Sequence, residues 1–421
     1  MSATIISIGD ELVSGLTINT NAAWLGMQLA RVGIPVRAHL TAGDSVSAVS
    51  RMICQAIGES SLVLVSGGLG PTEDDITRAA LADALGEKLV EDAAALASVE
   101  AFFSQLNRPM APGNKIQALR PSSASSIANS CGTAPGIFAR RGQTDIFVMP
   151  GVPREMKAMF EQSFLPMLME KAGPDGRITE IAKFNTFGIG ESVLGQKVAD
   201  LMQRSTNPAV GTTVHDGIVS VRVYATGKRG EVQAMIAEKT RQIQERLGPL
   251  IFSHGDEPLE AAVATLLTAK KQMVATAESC TGGLLAELLT NIPGSSRYFS
   301  RGWITYCNQA KAQDLQIPVD LLVQHGAVSE SVAAAMATNA RRVADVNWGI
   351  GITGIAGPDG GTAAHPVGLV FVGLAGVHGV SVRRCQFPGD RAGIRLRAAH
   401  MALTLLRLKL MGLEPESVLA P

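Results

Sequence analysis

The chain has 421 residues, enough at roughly 150 residues per domain for about three domains with sizeable cores. Lys+Arg 37 against Asp+Glu 37 gives a formal net charge of +0, so no global field steers it to nucleic acid or to an anionic membrane. Cys54, Cys131, Cys280, Cys307 and Cys385 are scattered without a C-x-x-C pair, which argues against a disulfide framework or a thiolate zinc site and fits a reducing, cytoplasmic setting.

Residues 1–12 lack a basic flank, and their apolar run is cut by Gly9-Asp10-Glu11, so they read as neither signal peptide nor anchor. No apolar stretch reaches membrane-spanning length. The pattern predicts a strand over 4–8, a helix over 21–31 ended by Gly33, a strand over 35–40 and a helix opened by Asp44, with Val46, Val49, Ile53 and Ile57 on one face. A strand over 62–65 leads into Ser66-Gly67-Gly68-Leu69-Gly70-Pro71-Thr72 and a helix starting at Glu73, Asp74 or Asp75. Strands alternating with helices predict an α/β domain whose parallel sheet is covered on both faces.

Ligands of such sheets bind beyond the carboxyl ends of the strands. There the amides of Gly67, Gly68 and Gly70, with Thr72 beside them, form a candidate phosphate cradle. Asp10, Glu11, Asp74 and Asp75 offer oxygen ligands to a hard cation such as Mg²⁺, although Asp74 and Asp75 read equally as helix caps. The loop has no lysine and no G-x-x-x-x-G-K-[ST], which sets P-loop chemistry aside. Two further turn-rich loops, 129–136 and 149–156, border strand-like runs at 137–139 and 146–149.

Residues 171–176 read as a linker. A small α+β segment follows, with strands near 181–187, 209–214 and 219–225, and helices over 191–202 and up to 246. Gly188-Ile189-Gly190-Glu191-Ser192 reads better as a helix entry than as a binding loop. Beyond a helix over 258–269, Met273-Val274-Ala275-Thr276 predicts a strand that runs into Ala277-Glu278-Ser279-Cys280-Thr281-Gly282-Gly283 and a helix from about Thr281. This loop reads equally as a tight turn or as a nucleophile site, because no base is adjacent. The pattern continues with a strand-like run over 299–306, helices near 308 and after 329, and a strand over 348–353. The glycine loop 354–361, strands over 367–374 and 381–386, and a helix from 391 complete a second α/β domain.

The assembled motifs resemble the CinA (competence/damage-inducible) family over essentially the whole chain. The N-terminal part is similar to MoaB/MogA-type molybdopterin-binding domains through SGGLGPTEDDIT at 66–77 and PGVPREM at 150–156. The C-terminal part resembles the family's nicotinamide-nucleotide amidohydrolase domain. It does so through AESCTGG at 277–283, TYCNQAK at 305–311, HGAVSE at 325–330 and GIAGPDGG at 354–361.

The resemblance implies a three-layer α/β/α domain over 1–170, a small KH-like α+β domain over 177–252 and an α/β amidohydrolase domain over 256–415. It implies deamidation of nicotinamide mononucleotide by a Ser/Lys pair, with Ser279 as nucleophile and Lys311 as base. For that chemistry Lys311 has to be neutral near pH 7, a shift of about three units or about 4 kcal/mol that burial alone can supply without metal or cofactor.

Amides of Cys280, Thr281, Gly282 and Gly283 are the natural oxyanion donors, worth about 3 kcal/mol each. Tyr306 is a candidate to orient Lys311 or relay a proton, and Gly354, Ala356, Gly357 and Asp359 are candidates for the nucleotide side of the pocket. A rival keeps the reaction but uses Cys280 with His325 or His365 as base.

The same family implies an N-terminal ADP-ribose pyrophosphatase with Mg²⁺, Mn²⁺ or Co²⁺ on Asp10, Asp74 and Asp75; the alternative is a non-catalytic pterin- or nucleotide-binding or assembly module. The chain departs from the family pattern at Cys307, where serine is expected, and at Asn19, where aspartate is expected. A homodimer is implied. No basic, aromatic-interleaved surface is recognisable, so neither nucleic acid nor membrane is expected as a partner.

Overall fold

The computed structural model describes residues 1–172, 177–203 and 206–419. Lys171 and Ala172 close the helix Leu165–Ala172, and the rest of the expected linker, 173–176, lies outside the described residues. The chain forms two compact units, Met1–Glu180 with Ala225–Met235, and Ile181–Tyr224 with Ile236–Pro421.

The first unit contains β1 (Ala3–Ile8), β2 (Val36–Ala42), β3 (Leu62–Ser66), β4 (Leu89–Glu91), β5 (Leu119–Pro121), β6 (Ser125–Ile127), β7 (Gly136–Arg141) and β8 (Thr144–Met149). Six of them make one sheet in the order β2-β1-β3-β8-β7-β6, and β4 pairs with β5. β1 and β3 are buried at every position, which is why they read as unbroken apolar runs, whereas β2 alternates because it is an edge. Ile5, Leu64 and Phe147 meet Leu25 and Leu29 of the helix Thr20–Arg31 on one face. Ile6, Val63 and Val65 meet Val49 and Ile53 of the helix Val46–Glu59 on the other. This is the three-layer α/β/α arrangement.

The sheet is mixed, however, not wholly parallel: β6 and β7 run antiparallel to their neighbours. Only Gly142 and Gln143 separate β7 from β8, and so short a connection permits an antiparallel hairpin but no crossover.

The second unit carries most of a four-stranded sheet, β10-β11-β9-β12, made by β9 (Ile178–Thr186), β10 (Ala209–His215), β11 (Ile218–Gly227) and β12 (Ile251–His254). It also carries β13 (Val274–Glu278), β14 (Phe299–Ile304), β15 (Trp348–Gly354), β16 (Leu369–Gly376) and β17 (Gly379–Gln386), in the order β14-β13-β15-β16-β17. β13 lies parallel to β14 and β15 and is buried throughout. The helix Glu330–Ala344 packs on β15 and β16. Gly351 permits that approach, since a Cβ there would stand 2.5 Å from the Ala333 carbonyl oxygen. The opposite face meets the helices Leu259–Lys270 and Arg391–Leu410. Among the described residues no helix is long and apolar enough to cross a membrane.

Candidate active site

β13 delivers its last residue, Glu278, and then Ser279 to the carboxyl edge of the sheet. The Ser279 amide donates to the Ile352 carbonyl at 2.9 Å and the Glu278 carbonyl accepts from the Thr305 amide at 2.8 Å, so neighbouring strands fix the loop on both sides. The helix expected from Thr281 begins instead at Leu284. Gly282 and Gly283 hold φ of +59° and +94°, values that bend the chain left-handed before the helix can start. The buried Glu278 carboxylate then caps the helix from the preceding strand, accepting from the amides of Gly283 at 3.0 Å, Leu285 at 3.1 Å and Ala286 at 2.9 Å.

Lys311 projects from the helix Asn308–Leu315 and is 1% exposed. Its Nζ lies 3.0 Å from Ser279 Oγ and donates to the Thr305 carbonyl oxygen at 2.7 Å. Both partners are neutral oxygens. Burial pushes the Lys311 amine below the ordinary lysine value, opposed only by the weaker pull of the Cys307 and Cys280 thiols. The helix itself is capped by Cys307, whose Sγ accepts from the Ala310 amide at 3.4 Å. That capping is the role of the cysteine found where serine is expected.

Of the amides expected to face an oxyanion, two are engaged: Gly282 donates to the Ser279 carbonyl at 3.0 Å, and Gly283 to Glu278. The amides of Cys280 and Thr281 make no hydrogen bond among the described residues. The Thr281 carbonyl is held from outside by Arg395, through Nη2 at 2.6 Å and Nε at 3.2 Å. Burial drives the Cys280 thiol up to about 12, with the Glu278 charge adding to it. The exposed His325 and His365 are not among the charges that act on Cys280.

Tyr306 is exposed and makes no hydrogen bond to Lys311; its hydroxyl accepts from Arg391 Nη2 at 2.7 Å. The Lys311 amine is held by the Thr305 carbonyl instead. Arg391 Nη1 donates to the Gly357 carbonyl at 2.8 Å, so the guanidinium joins Tyr306 to the glycine loop after β15. Within that loop Ala356 is buried, Gly354 ends β15 and Asp359 is exposed. Glu278, Thr305, Arg391 and Arg395 carry no role in the sequence reading. A carboxylate closing an apolar strand just before a helix was the one available signal, and it points to Glu278.

In the first unit, the helix expected from residues 73–75 begins at Thr77. Asp75 turns back into the loop instead, accepting from the amides of Gly70 at 2.6 Å and Thr72 at 2.9 Å and from the Thr72 hydroxyl at 2.6 Å. The Gly67 amide donates to the Met149 carbonyl at 3.1 Å. Beneath the loop the buried Arg78 donates to the carbonyls of Leu69 and Gly70, and burial lowers its guanidinium to about 10.

Asp10 pairs with Asp44, each carboxylate accepting the other's amide at 3.1 Å. Burial raises the Asp44 carboxyl, as do the charges of Asp10, Glu11 and Asp74. Among the described residues no three Asp, Glu, His or Cys side chains converge on one cation position, so Asp10, Asp74 and Asp75 are not assembled as a ligand set. Asn19, found where aspartate is expected, accepts from the Ala22 amide at 3.0 Å and caps the helix Thr20–Arg31.

Fold and site together define a multidomain α/β protein with a buried Ser–Lys pair at the edge of its C-terminal sheet. Residues 256–410 match the family described as "CinA C-terminal domain", 183–253 the "Damage-inducible protein CinA KH domain" and 4–170 the "Probable molybdopterin binding domain". The CinA-like protein of Geobacter sulfurreducens is 40% identical over 413 residues, covering 98% of this chain and 100% of the relative. That of Geobacter metallireducens is 38% identical over 412 residues, covering 98% and 100%. A solved CinA structure from Thermoplasma acidophilum is 35% identical, covering 38% of this chain and 94% of that one, with a TM-score of 0.36. The chain belongs to the CinA family.

Proposed function

We propose that the C-terminal domain hydrolyses the carboxamide of nicotinamide mononucleotide to the acid mononucleotide and ammonia. The observation that carries this reading is the 3.0 Å contact between Ser279 Oγ and a buried Lys311 Nζ that no carboxylate among the described residues pairs with. A neutral Lys311 takes the hydroxyl proton as Oγ attacks the carboxamide carbon. The resulting oxyanion is met by the Cys280 and Thr281 amides. The proton then passes from Lys311 to the leaving nitrogen, ammonia departs and an ester on Ser279 remains. Water, deprotonated by Lys311, attacks that ester, and Ser279 recovers its proton as the acid leaves. No step calls on a metal or cofactor. The test is ammonia release from nicotinamide mononucleotide: wild type active, Ser279→Ala and Lys311→Ala inactive with the fold retained. Normal turnover by Ser279→Ala would overturn it.

For the N-terminal domain we propose binding of a phosphorylated nucleotide or pterin at the glycine loop. The Asp75 carboxylate seated on the Gly70 and Thr72 amides supports this, because the nest it fills is one that an anion fits. Hydrolysis of ADP-ribose is the activity to assay there. AMP release that requires Mg²⁺, Mn²⁺ or Co²⁺ would make the domain a pyrophosphatase, and none with any of the three leaves a binding module.

A further inference from the structure

We propose that Arg395 is a positioning residue that supplies positive charge to the oxyanion site beside Ser279 without touching it, its guanidinium acting through two peptide groups on the Cys280 amide. The proposal rests on the amidase reading and deepens it.

Arg395 projects from the helix Arg391–Leu410 and directs its hydrogen bonds to one atom, the Thr281 carbonyl oxygen, through Nη2 at 2.6 Å and Nε at 3.2 Å. That oxygen also accepts from the Leu284 amide at 3.3 Å. A carbonyl and the N–H of the next residue belong to one planar, conjugated peptide group. A cation on the Thr281 oxygen therefore polarises the Gly282 N–H. This N–H donates to the Ser279 carbonyl at 3.0 Å, and the Ser279 carbonyl shares its own peptide group with the Cys280 N–H. The Cys280 amide makes no hydrogen bond to another described residue, so it is free for an oxyanion. Two peptide dipoles thus stand head to tail between the guanidinium and the oxyanion position, each with its N–H end toward the reaction. Hydrogen bonds in such a chain strengthen one another by about 10–30% per bond.

The sign of the charge matters here. Residues 277–283 carry one formal charge of their own, the buried Glu278 carboxylate, and it opposes an anion forming beside it. Arg395 brings the opposite sign, and among the described residues no carboxylate pairs with it. At the Cys280 thiol, which burial and the Glu278 charge push up, Arg395 acts in the opposite sense, so its charge reaches the residue whose amide meets the oxyanion.

The test compares wild type with Arg395→Lys, which keeps the charge, and Arg395→Gln, which keeps a donor without it. An oxyanion donor is worth about 100- to 1,000-fold in kcat, and strengthening of about 10–30% at each of two links makes about 3- to 50-fold depend on the charge. On nicotinamide mononucleotide, Arg395→Gln should lose that factor in kcat with KM unchanged, and Arg395→Lys should recover most of it. The pH at which the rate climbs should stay in place, because Arg395 is not among the charges that act on Lys311. A rise in KM with kcat retained would make Arg395 a substrate ligand and overturn the relay, as would equal losses in the two variants.

A second arm needs no turnover: backbone amide proton shifts of protein carrying isotope-labelled cysteine, whose five cysteines give five signals, with Cys280→Ala identifying one of them. In Arg395→Gln the Cys280 amide proton should move upfield while those of Cys54, Cys131 and Cys385 stay, and in Arg395→Lys it should remain near its wild-type position. A Cys280 signal that Arg395→Gln leaves unmoved, or that both variants move alike, overturns the proposal. Absence of ammonia release by wild type would sink the amidase reading alone, since the amide shift still decides the relay.

Discussion

The Glu278 carboxylate stands 3.0 Å from the Gly283 amide, reaching past the nucleophile to grip the far side of its loop. Two more amides, of Leu285 and Ala286, complete its shell. Ser279 is therefore held between the strand it leaves and the helix it precedes, and its position depends on a residue that does not face the reaction. Glu278→Gln keeps the size but turns one acceptor into a donor aimed at an amide. At about 1.5–3 kcal/mol per hydrogen bond to a charged group, the variant should lose about 2–4 kcal/mol of stability and most of its ammonia release. Calorimetry and the amidase assay on the same sample check this. A wild-type thermal midpoint with wild-type rate would remove Glu278 from the account.

Lys311 sets the pH dependence. Its folded pKa lies below its unfolded value, so between the two the unfolded chain binds more protons and stability rises with pH. As pH falls through the folded pKa the buried amine charges, with only Ser279 Oγ and the Thr305 carbonyl as partners, and that stability is lost. Because the base is the neutral amine, kcat/KM should climb with pH along the same limb. Lys311→Met should abolish turnover and flatten stability against pH across this window. A rate that falls as pH rises would contradict a lysine base.

Cys280 lies beside the nucleophile with its thiol pushed up to about 12, mainly by burial. At neutral pH the thiolate is then populated on the order of one molecule in 10⁴ to 10⁵. Cys280→Ala should keep ammonia release within several-fold of wild type. Iodoacetamide followed by peptide mapping should label the exposed Cys54 and Cys307 and spare Cys280. Loss of activity in Cys280→Ala with the fold intact would restore the thiol mechanism.

How far the sequence reached follows from what each residue's role depends on. β1, β3 and β13 were readable because strands buried on both faces leave an unbroken apolar run. The Ser279–Lys311 contact was not readable from spacing: Asn308–Leu315 is polar, and nothing in NQAKAQDL tells that its lysine is buried. Only resemblance to a family linked the two. Arg395 reaches the Thr281 carbonyl from 114 residues away, a long-range contact with no local signature. The helix expected from Glu73, Asp74 or Asp75 starts only at Thr77, because a carboxylate near a glycine turn has two local options, capping the helix or folding back, and only the packed loop decides.

Asp75 also allows a test of the first unit. Its carboxylate accepts from the Gly70 and Thr72 amides and the Thr72 hydroxyl, so an incoming phosphate has to displace it. Asp75→Ala removes the competing anion and a like charge while leaving the buried Arg78 beneath the loop. Without divalent metal, the variant should bind ADP-ribose about 10-fold more tightly than wild type, the equivalent of one recovered charge-assisted hydrogen bond. Titration calorimetry at matched ionic strength measures this, with circular dichroism confirming the fold. Tighter binding would show that Asp75 guards the nest. Weaker binding would show that the carboxylate contacts the ligand itself, and the glycine loop would then be a site that Asp75 completes.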